Sequence, residues 1–338
     1  MVFTSAGILF RLYNCSENQT CKGTDIGERM LVILNEKSGG GTAIKKWERV
    51  RNRLNLNNGS TEIFYADKNG TESNFILDAL NKGKTEFVIA GGDGTMNHFL
   101  NCLISSAEPE IIKEIKIGAV GIGSSNDFHK PFRSKNIIDK IPYKLNFKGA
   151  IHHDVGCIIF EKNGNLFKKY FLINASLGVT AEANNFFNNP DFILKYLKRI
   201  KTKSAILYTA VNGILKYKNF PAQIETNGEL FRTEISNLGI IKCPFFSGSL
   251  RYQSKPLINN GLFDVHLYQS LNKPELLSLL YKLSYGFSDN SLNKKFWRTG
   301  RIKISSENEF VVEFDGEVIT TNSAGFSVIP ELIKVCIN

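Results

Sequence analysis

The stretch FVIAGGDGTMNHFLN, residues 87–101, constrains the fold more than any other part of the chain. An apolar run breaks at Gly91-Gly92-Asp93-Gly94-Thr95. It resumes with Met96, Phe99, Leu100 and Leu103 at spacings of three and four, the period of a helix with one buried face. Asp93-Gly94 also suits a two-residue hairpin turn, but a hairpin needs an alternating strand after it, and none begins at Thr95. The corner is therefore expected to join a buried strand, 87–90, to a helix starting near Thr95. The first amides of a helix lack internal partners and sit at the positive end of its dipole, so phosphate oxygens are stabilised there. Gly91, Gly92 and Gly94 remove the Cβ atoms that would hold a phosphate chain away from the backbone. Asp93 adds a carboxylate where phosphates would converge, suited to holding Mg²⁺ or accepting a proton. Because glycine also serves plain turn geometry, this corner needs companions before it means a binding site.

Companions are present. LVIL (31–34) reads as a buried strand, NEKSGGGT as a loop, and AIKKWERVRNRL as a helix with Ile44, Trp47, Val50 and Leu54 on one face. EIFYA (62–66), a helical ESNFILDALNKG, the corner and IKIGAV (115–120) continue the alternation, which predicts a parallel sheet wrapped by helices, a doubly wound α/β domain over 30–145. Loops at the carboxyl ends of such strands line its binding crevice, so 35–42, 91–95 and 121–128 (GIGSSNDF) are expected to converge. After about residue 145 the pattern turns to hairpins around Asn163-Gly164 and Asn227-Gly228, with short strands LFDVHLY, RIKISS, FVVEF and AGFSVI. Helices are predicted there only at about 190–217 and 274–285. Residues 146–338 thus read as an all-β domain, a sandwich or barrel. Residues 1–29 carry no periodicity and read as an extension.

Composition excludes several classes. No run approaches the roughly eighteen apolar residues of a membrane span, and the apolar stretch near the start lacks a basic flank, so a cytoplasmic protein without a transmembrane segment is expected. Six cysteines, at 15, 21, 102, 157, 243 and 336, form no C-x-x-C pair and fit reduced thiols; Cys102 reads as a small buried group. The net charge of +10 points to an anionic partner. Among a nucleotide, an acidic membrane surface and nucleic acid, nucleic acid ranks last and is not expected, because the chain lacks both zinc-finger spacing and interleaved aromatic and basic residues.

The motifs LNEKSGG, GGDGTMN, GIGSSNDF, DVG (154–156), FLINASLGVTAEA (171–183), NGLFDV (260–265) and FDGE (314–317) occur in the order and rough spacing of the diacylglycerol kinase catalytic-domain family. That family, which the chain resembles from about Met30 to about Pro330, includes YegS-like bacterial lipid kinases and the sphingosine and ceramide kinases. The resemblance implies an ATP-dependent, Mg²⁺-assisted kinase acting on a lipid hydroxyl. It places nucleotide contacts at Asn35, Ser38, Gly39, Gly91, Gly92, Asp93, Gly94, Thr95, Asn97, Ser124, Asn126 and Asp127. It makes Glu317 the general base, with Asp315 beside it and Asp93 as a further catalytic carboxylate. FDGE also has the form of a hairpin tip, and both readings stand. The resemblance further implies a structural Mg²⁺ held at position 260 with the Leu257 and Leu262 carbonyls. The expected partners are a lipid substrate at a membrane surface, met from the inner face of the membrane, and a second copy of the chain.

Several positions depart from the family pattern. His98 stands where a glutamate is usual, so a negative charge near the nucleotide is absent, or else His98 only fills a helix face. Glu36 replaces a proline, Ala66 a nucleotide-contacting threonine, and Ser124-Ser125 a threonine-glycine pair. Asn260 replaces an aspartate, and its amide oxygen is a weaker ligand for a hard cation. An NAD kinase-like enzyme, or a member that binds nucleotide or lipid but transfers phosphate poorly, remain alternatives. In the segment 191–220, Lys195, Lys198, Arg199, Lys201 and Lys203 lie beside apolar residues at helical spacing, which suits either an anionic bilayer or a solvated face.

Overall fold

Strand β1 (Met30–Leu34) lies parallel between β2 (Thr61–Tyr65) and β3 (Glu86–Gly91), and β4 (Lys116–Gly121) extends the sheet on the far side of β3. The computed structural model describes residues 30–337 apart from 57–60, 67–70, 131–135, 201, 249 and 288–290 and the side chains of Arg199, Thr202 and Lys203. The extension at 1–29, with Cys15 and Cys21, and Lys201 fall outside the described residues.

Alternation along these strands buries both faces of the sheet. Val32, Leu34, Val88, Ala90 and Val120 pack on Trp47 and Val50 of helix α1 (Ala43–Arg53). On the other face, Leu31, Ile33, Phe87, Ile89 and Ile117 meet Ile76 of α2 (Thr71–Asn81) and Met96, Phe99 and Leu100 of α3 (Asp93–Ser106). Register then fixes where the loops leave. Leu34 pairs with Ala90, and Gly91 with Gly121, so the three carboxyl ends finish side by side on one edge.

The second half begins with the hairpin of β5 (Ile151–Lys162) and β6 (Asn165–Phe171), then β7 (Asn174–Gly178) and helices α4 (Val179–Asn188), α5 (Phe192–Ile200) and α6 (Thr202–Lys216). Strands β8 (Phe220–Thr226), β9 (Glu229–Ile241) and β10 (Phe263–Gln269) follow, then α7 (Lys273–Tyr285), β11 (Lys294–Thr299), β12 (Arg301–Phe314) and β13 (Glu317–Val335). Its apolar core includes Phe171 and Phe263 stacked at 5.7 Å, with Phe326 against them. The long β13 pairs antiparallel with β12 and β5, and its Lys334 and Val335 then run parallel to Lys116 and Ile117 of β4. One fifteen-stranded sheet thereby crosses from the parallel half into the antiparallel half.

The hairpin turns take the form their dipeptides dictate. Asn163-Gly164, Asn227-Gly228 and Asp315-Gly316 all have both residues at positive φ, the type I′ geometry that matches strand twist. Other expectations needed correction. Helix α3 starts at Asp93 rather than Thr95, with Gly92 as its extended N-cap. The first loop contains a helical turn, Ser38–Gly41, in which Gly39 and Gly40 are left-handed. Helix α4 was not expected, because the asparagine-rich VTAEANNFFN has weak helical preference; packing against α6 supplies what propensity does not, with Gly213 leaving room for Ala183. Cys102 is only partly buried and faces His98.

Candidate active site

The three loops meet at bare backbone. A Cβ on Gly123 would lie 2.4 Å from the Gly92 Cα, and one on Gly39 would lie 2.6 Å from the Ile122 carbonyl oxygen. Real Cβ contacts are not that short, so glycine at 39 and 123 is what allows the approach. Side chains then lock the loops. Asn35 Nδ2 donates to Thr95 Oγ1 at 3.0 Å, while the Asp127 and Phe128 amides donate to the two Asp93 carboxylate oxygens at 2.9 and 3.0 Å. Asn126 holds the third loop in its left-handed bend by donating to the carbonyls of Gly121 and Gly123.

The opposite wall comes from the second half. The β12–β13 turn brings Asp315, Gly316 and Glu317 to the same cleft, of about 530 Å³, as Asn35, Ser38, Gly39, Gly92, Asp93, Gly94, Thr95, Ser124 and Asp127. FDGE is therefore both a hairpin tip and part of the cleft lining. Asp315 is fully committed to the seam: its carboxylate accepts the amides of Leu172, Ile173 and Asn174 at 2.7, 3.0 and 3.1 Å, and Asn97 Nδ2 at 3.3 Å. Glu317 is exposed at the cleft, whereas Glu313, two residues before Asp315, is buried and accepts Ser176 Oγ and the Gly316 amide.

Burial of so many carboxylates together raises their affinity for protons. Asp93 is pushed up to about 7 by burial and by nearby Asp127, Glu313 to about 7 by burial, and Asp315 to about 6 by burial against its backbone hydrogen bonds. Lys37 also lines the cleft, and Lys130 pairs with Asp127. His98 lines it too, where the family pattern has an anion: Cys102 Sγ at 3.7 Å and Glu72 Oε2 at 3.2 Å both face its Nε2 and push its pKa above the ordinary value.

Not every expected residue faces the cleft. Gly91 packs under Thr95, where a Cβ would lie 2.5 Å from the threonine side chain, and Asn97 is buried between the Tyr170 carbonyl and Asp315. Asn126 shapes the loop from behind. Leu257, Asn260 and Leu262 do come together, but around the Lys242 ammonium and away from the cleft. Glu313, Asn174, Asn184 and Ser247 line the cleft and were not anticipated. Of these only Glu313 left a signal, as the first of three acids spaced by two in VEFDGE.

Comparison with known proteins gives the family. Residues 29–157 match the family model of the diacylglycerol kinase catalytic domain, and residues 174–337 that of the YegS C-terminal NAD kinase beta sandwich-like domain. The chain belongs to the diacylglycerol kinase catalytic-domain family, in its YegS-like branch, and so to a family of kinases. Two crystal structures from Bacillus anthracis str. Sterne share the fold. One is of a provisionally assigned diacylglycerol kinase, at 17% identity and TM-score 0.66; the other is of a diacylglycerol kinase, at 16% and 0.63. Each alignment covers 92% of this chain and 97% of the other. No curated protein sequence matches the chain.

Proposed function

We propose that the chain binds ATP with Mg²⁺ and transfers the terminal phosphate to the hydroxyl of a lipid alcohol. The observation that carries this reading is the meeting of the glycine-bearing loops and the Glu317 turn across one cleft. Phosphoryl transfer asks a protein mainly to position the donor, offset charge and orient the attacking hydroxyl. The amides of Gly92, Asp93 and Gly94 and of Ser124 and Ser125 would hold phosphate oxygens, those of Thr95 and Gly123 being bonded to the Gly92 and Gly91 carbonyls, and Asp93 and Asp127 are the carboxylates beside them. No group of three or more His, Cys, Asp or Glu among the described residues could hold a metal unaided, so phosphate oxygens would complete the ligand set, as is usual for Mg²⁺. Bound there, Mg²⁺ would offset the charge of the phosphates. The lipid hydroxyl gives its proton to Glu317 as its oxygen forms the new bond to phosphorus; the bond from that phosphorus to the bridging oxygen breaks, and ADP leaves. Glu313 and Asp315 act by holding the turn.

A lipid acceptor would approach along α5. Helix α5 exposes Phe192, Ile193, Tyr196 and Ile200 along with Lys195; its Lys198 Nζ donates to the Phe187 carbonyl of α4, whose Asn188 donates to the Gly316 carbonyl. In this reading the apolar face of α5 rests on an anionic bilayer and brings the acceptor to Glu317. No helix among the described residues is long and apolar enough to cross a membrane.

The test is transfer of γ-labelled phosphate from ATP, with and without Mg²⁺, into a panel of lipid alcohols and into NAD. Label is expected in the lipid extract, dependent on Mg²⁺, with Glu317→Gln about 10²- to 10⁴-fold slower and nucleotide affinity little changed. Equal label in both proteins would remove Glu317 as the base. Label in NAD would replace the acceptor, and label in neither would leave a binding protein.

A further inference from the structure

We infer that the cation site of the C-terminal domain is filled in this chain by the Lys242 ammonium, and that the site takes no divalent ion. Lys242 directly follows β9, and its Nζ donates to Asp154 Oδ2 at 2.7 Å, the Leu257 carbonyl at 2.6 Å, the Leu262 carbonyl at 2.9 Å and Asn260 Oδ1 at 3.1 Å. Both partners of the ion pair are fully buried. With four acceptors facing one nitrogen, the charged amine brings three N–H donors, one of them shared, whereas the neutral amine would bring two and turn a lone pair toward an oxygen.

The donor set is one that would suit a hard cation: a carboxylate, an amide oxygen and two carbonyls. The centre, however, is occupied. Mg²⁺ needs oxygens at about 2.0–2.1 Å and Ca²⁺ at about 2.3–2.6 Å, so either ion would have to displace the ammonium, and it would find only one carboxylate to offset its charge. Charge balance is kept with an amide at 260. A divalent ion with aspartates at 154 and 260 is neutral, and so is Lys242 with Asp154 and an amide at 260. Asp154 completes the knot by accepting the amides of Gly261 and Glu331 at 2.8 and 2.9 Å, joining β5, the loop before β10 and the bulge in β13. A covalent cation makes that junction independent of the metal supply.

The test needs no activity assay and does not depend on the proposed reaction. Wild-type protein dialysed against metal-free buffer is analysed for divalent ions and melted with EDTA or with excess Mg²⁺, Ca²⁺ or Mn²⁺, without nucleotide. The expected result is far less than one ion per chain and a midpoint that moves by less than about 1 °C, since a site that binds nothing adds no linkage. Lys242→Ala combined with Asn260→Asp should open the centre and restore the second carboxylate, so its midpoint should rise by roughly 5–10 °C with a divalent ion. One ion per wild-type chain, a wild-type midpoint that falls on chelation, or a folded double variant that ignores every divalent ion would each overturn the inference. If the double variant fails to fold under any condition, the wild-type ion content and chelation response decide alone.

Discussion

Asp315→Ala is expected to lower the melting point by roughly 5–15 °C, and by more at pH 5 than at pH 7.5. Three buried amides, those of Leu172, Ile173 and Asn174, lose their acceptor, at about 1–3 kcal/mol for each donor left unpaired. Against this, the variant no longer buries a carboxylate whose pKa is raised from 3.8 to about 6, a relief of about 3 kcal/mol once the group is ionised. The lost acceptors outweigh the relief. The sign of the pH effect follows from linkage. A carboxyl group that keeps its proton longer in the folded state subtracts stability as pH climbs from about 4 to about 6, so the wild type carries that slope and the variant does not. The gap between the two should therefore narrow with rising pH. Melting curves at several pH values decide it, and a variant as stable as wild type at pH 5 would remove Asp315 from the seam.

The second large effect separates the fold from the ligand. Gly123→Ala puts a methyl 2.4 Å from the Gly92 Cα, which is backbone and has no rotamer to yield. The loops must part by something near an ångström, enough to slow transfer about 10²-fold and to lower the melting point as well. Gly94→Ala is the contrasting case. Its Cβ would meet nothing within 4 Å, and in the first turn of a helix alanine is at least as well accommodated as glycine. That variant should be as stable as wild type or more so, yet bind ATP at least about tenfold more weakly, because the methyl occupies the space a phosphate oxygen needs. Titration calorimetry beside melting curves measures both. Unchanged affinity in Gly94→Ala would mean that phosphate does not approach α3 there.

Local chemistry was legible in the sequence wherever few residues decide it. The corner at 91–95 had to be strand-to-helix because the apolar period changes from runs to threes and fours across it. The dipeptides Asn163-Gly164 and Asn227-Gly228 gave their hairpins because both central residues must take positive φ. Convergence of the three loops followed from parallel register alone. What escaped depends on partners distant in the chain. Helix α4 is held by α6 rather than by its own residues, and Glu313 gains its place in the cleft only when β12 pairs with β7. Lys242 lies 88 positions from Asp154 and 18 from Asn260, so its side chain reads as an ordinary lysine until the strands are assembled. His98 could be seen as a departure, but its charge depends on Glu72 across two helices.

The proposed function requires the three separated loops to form one cradle for a nucleotide's phosphates. Hydrogen–deuterium exchange with and without Mg²⁺-ATP tests it most directly, because amides that hold phosphate oxygens exchange more slowly when the ligand is bound. Slowed exchange is expected together in peptides covering 35–42, 91–97 and 121–128, with α7 unaffected. Protection of one loop alone, or of none while ATP is bound, would contradict the account.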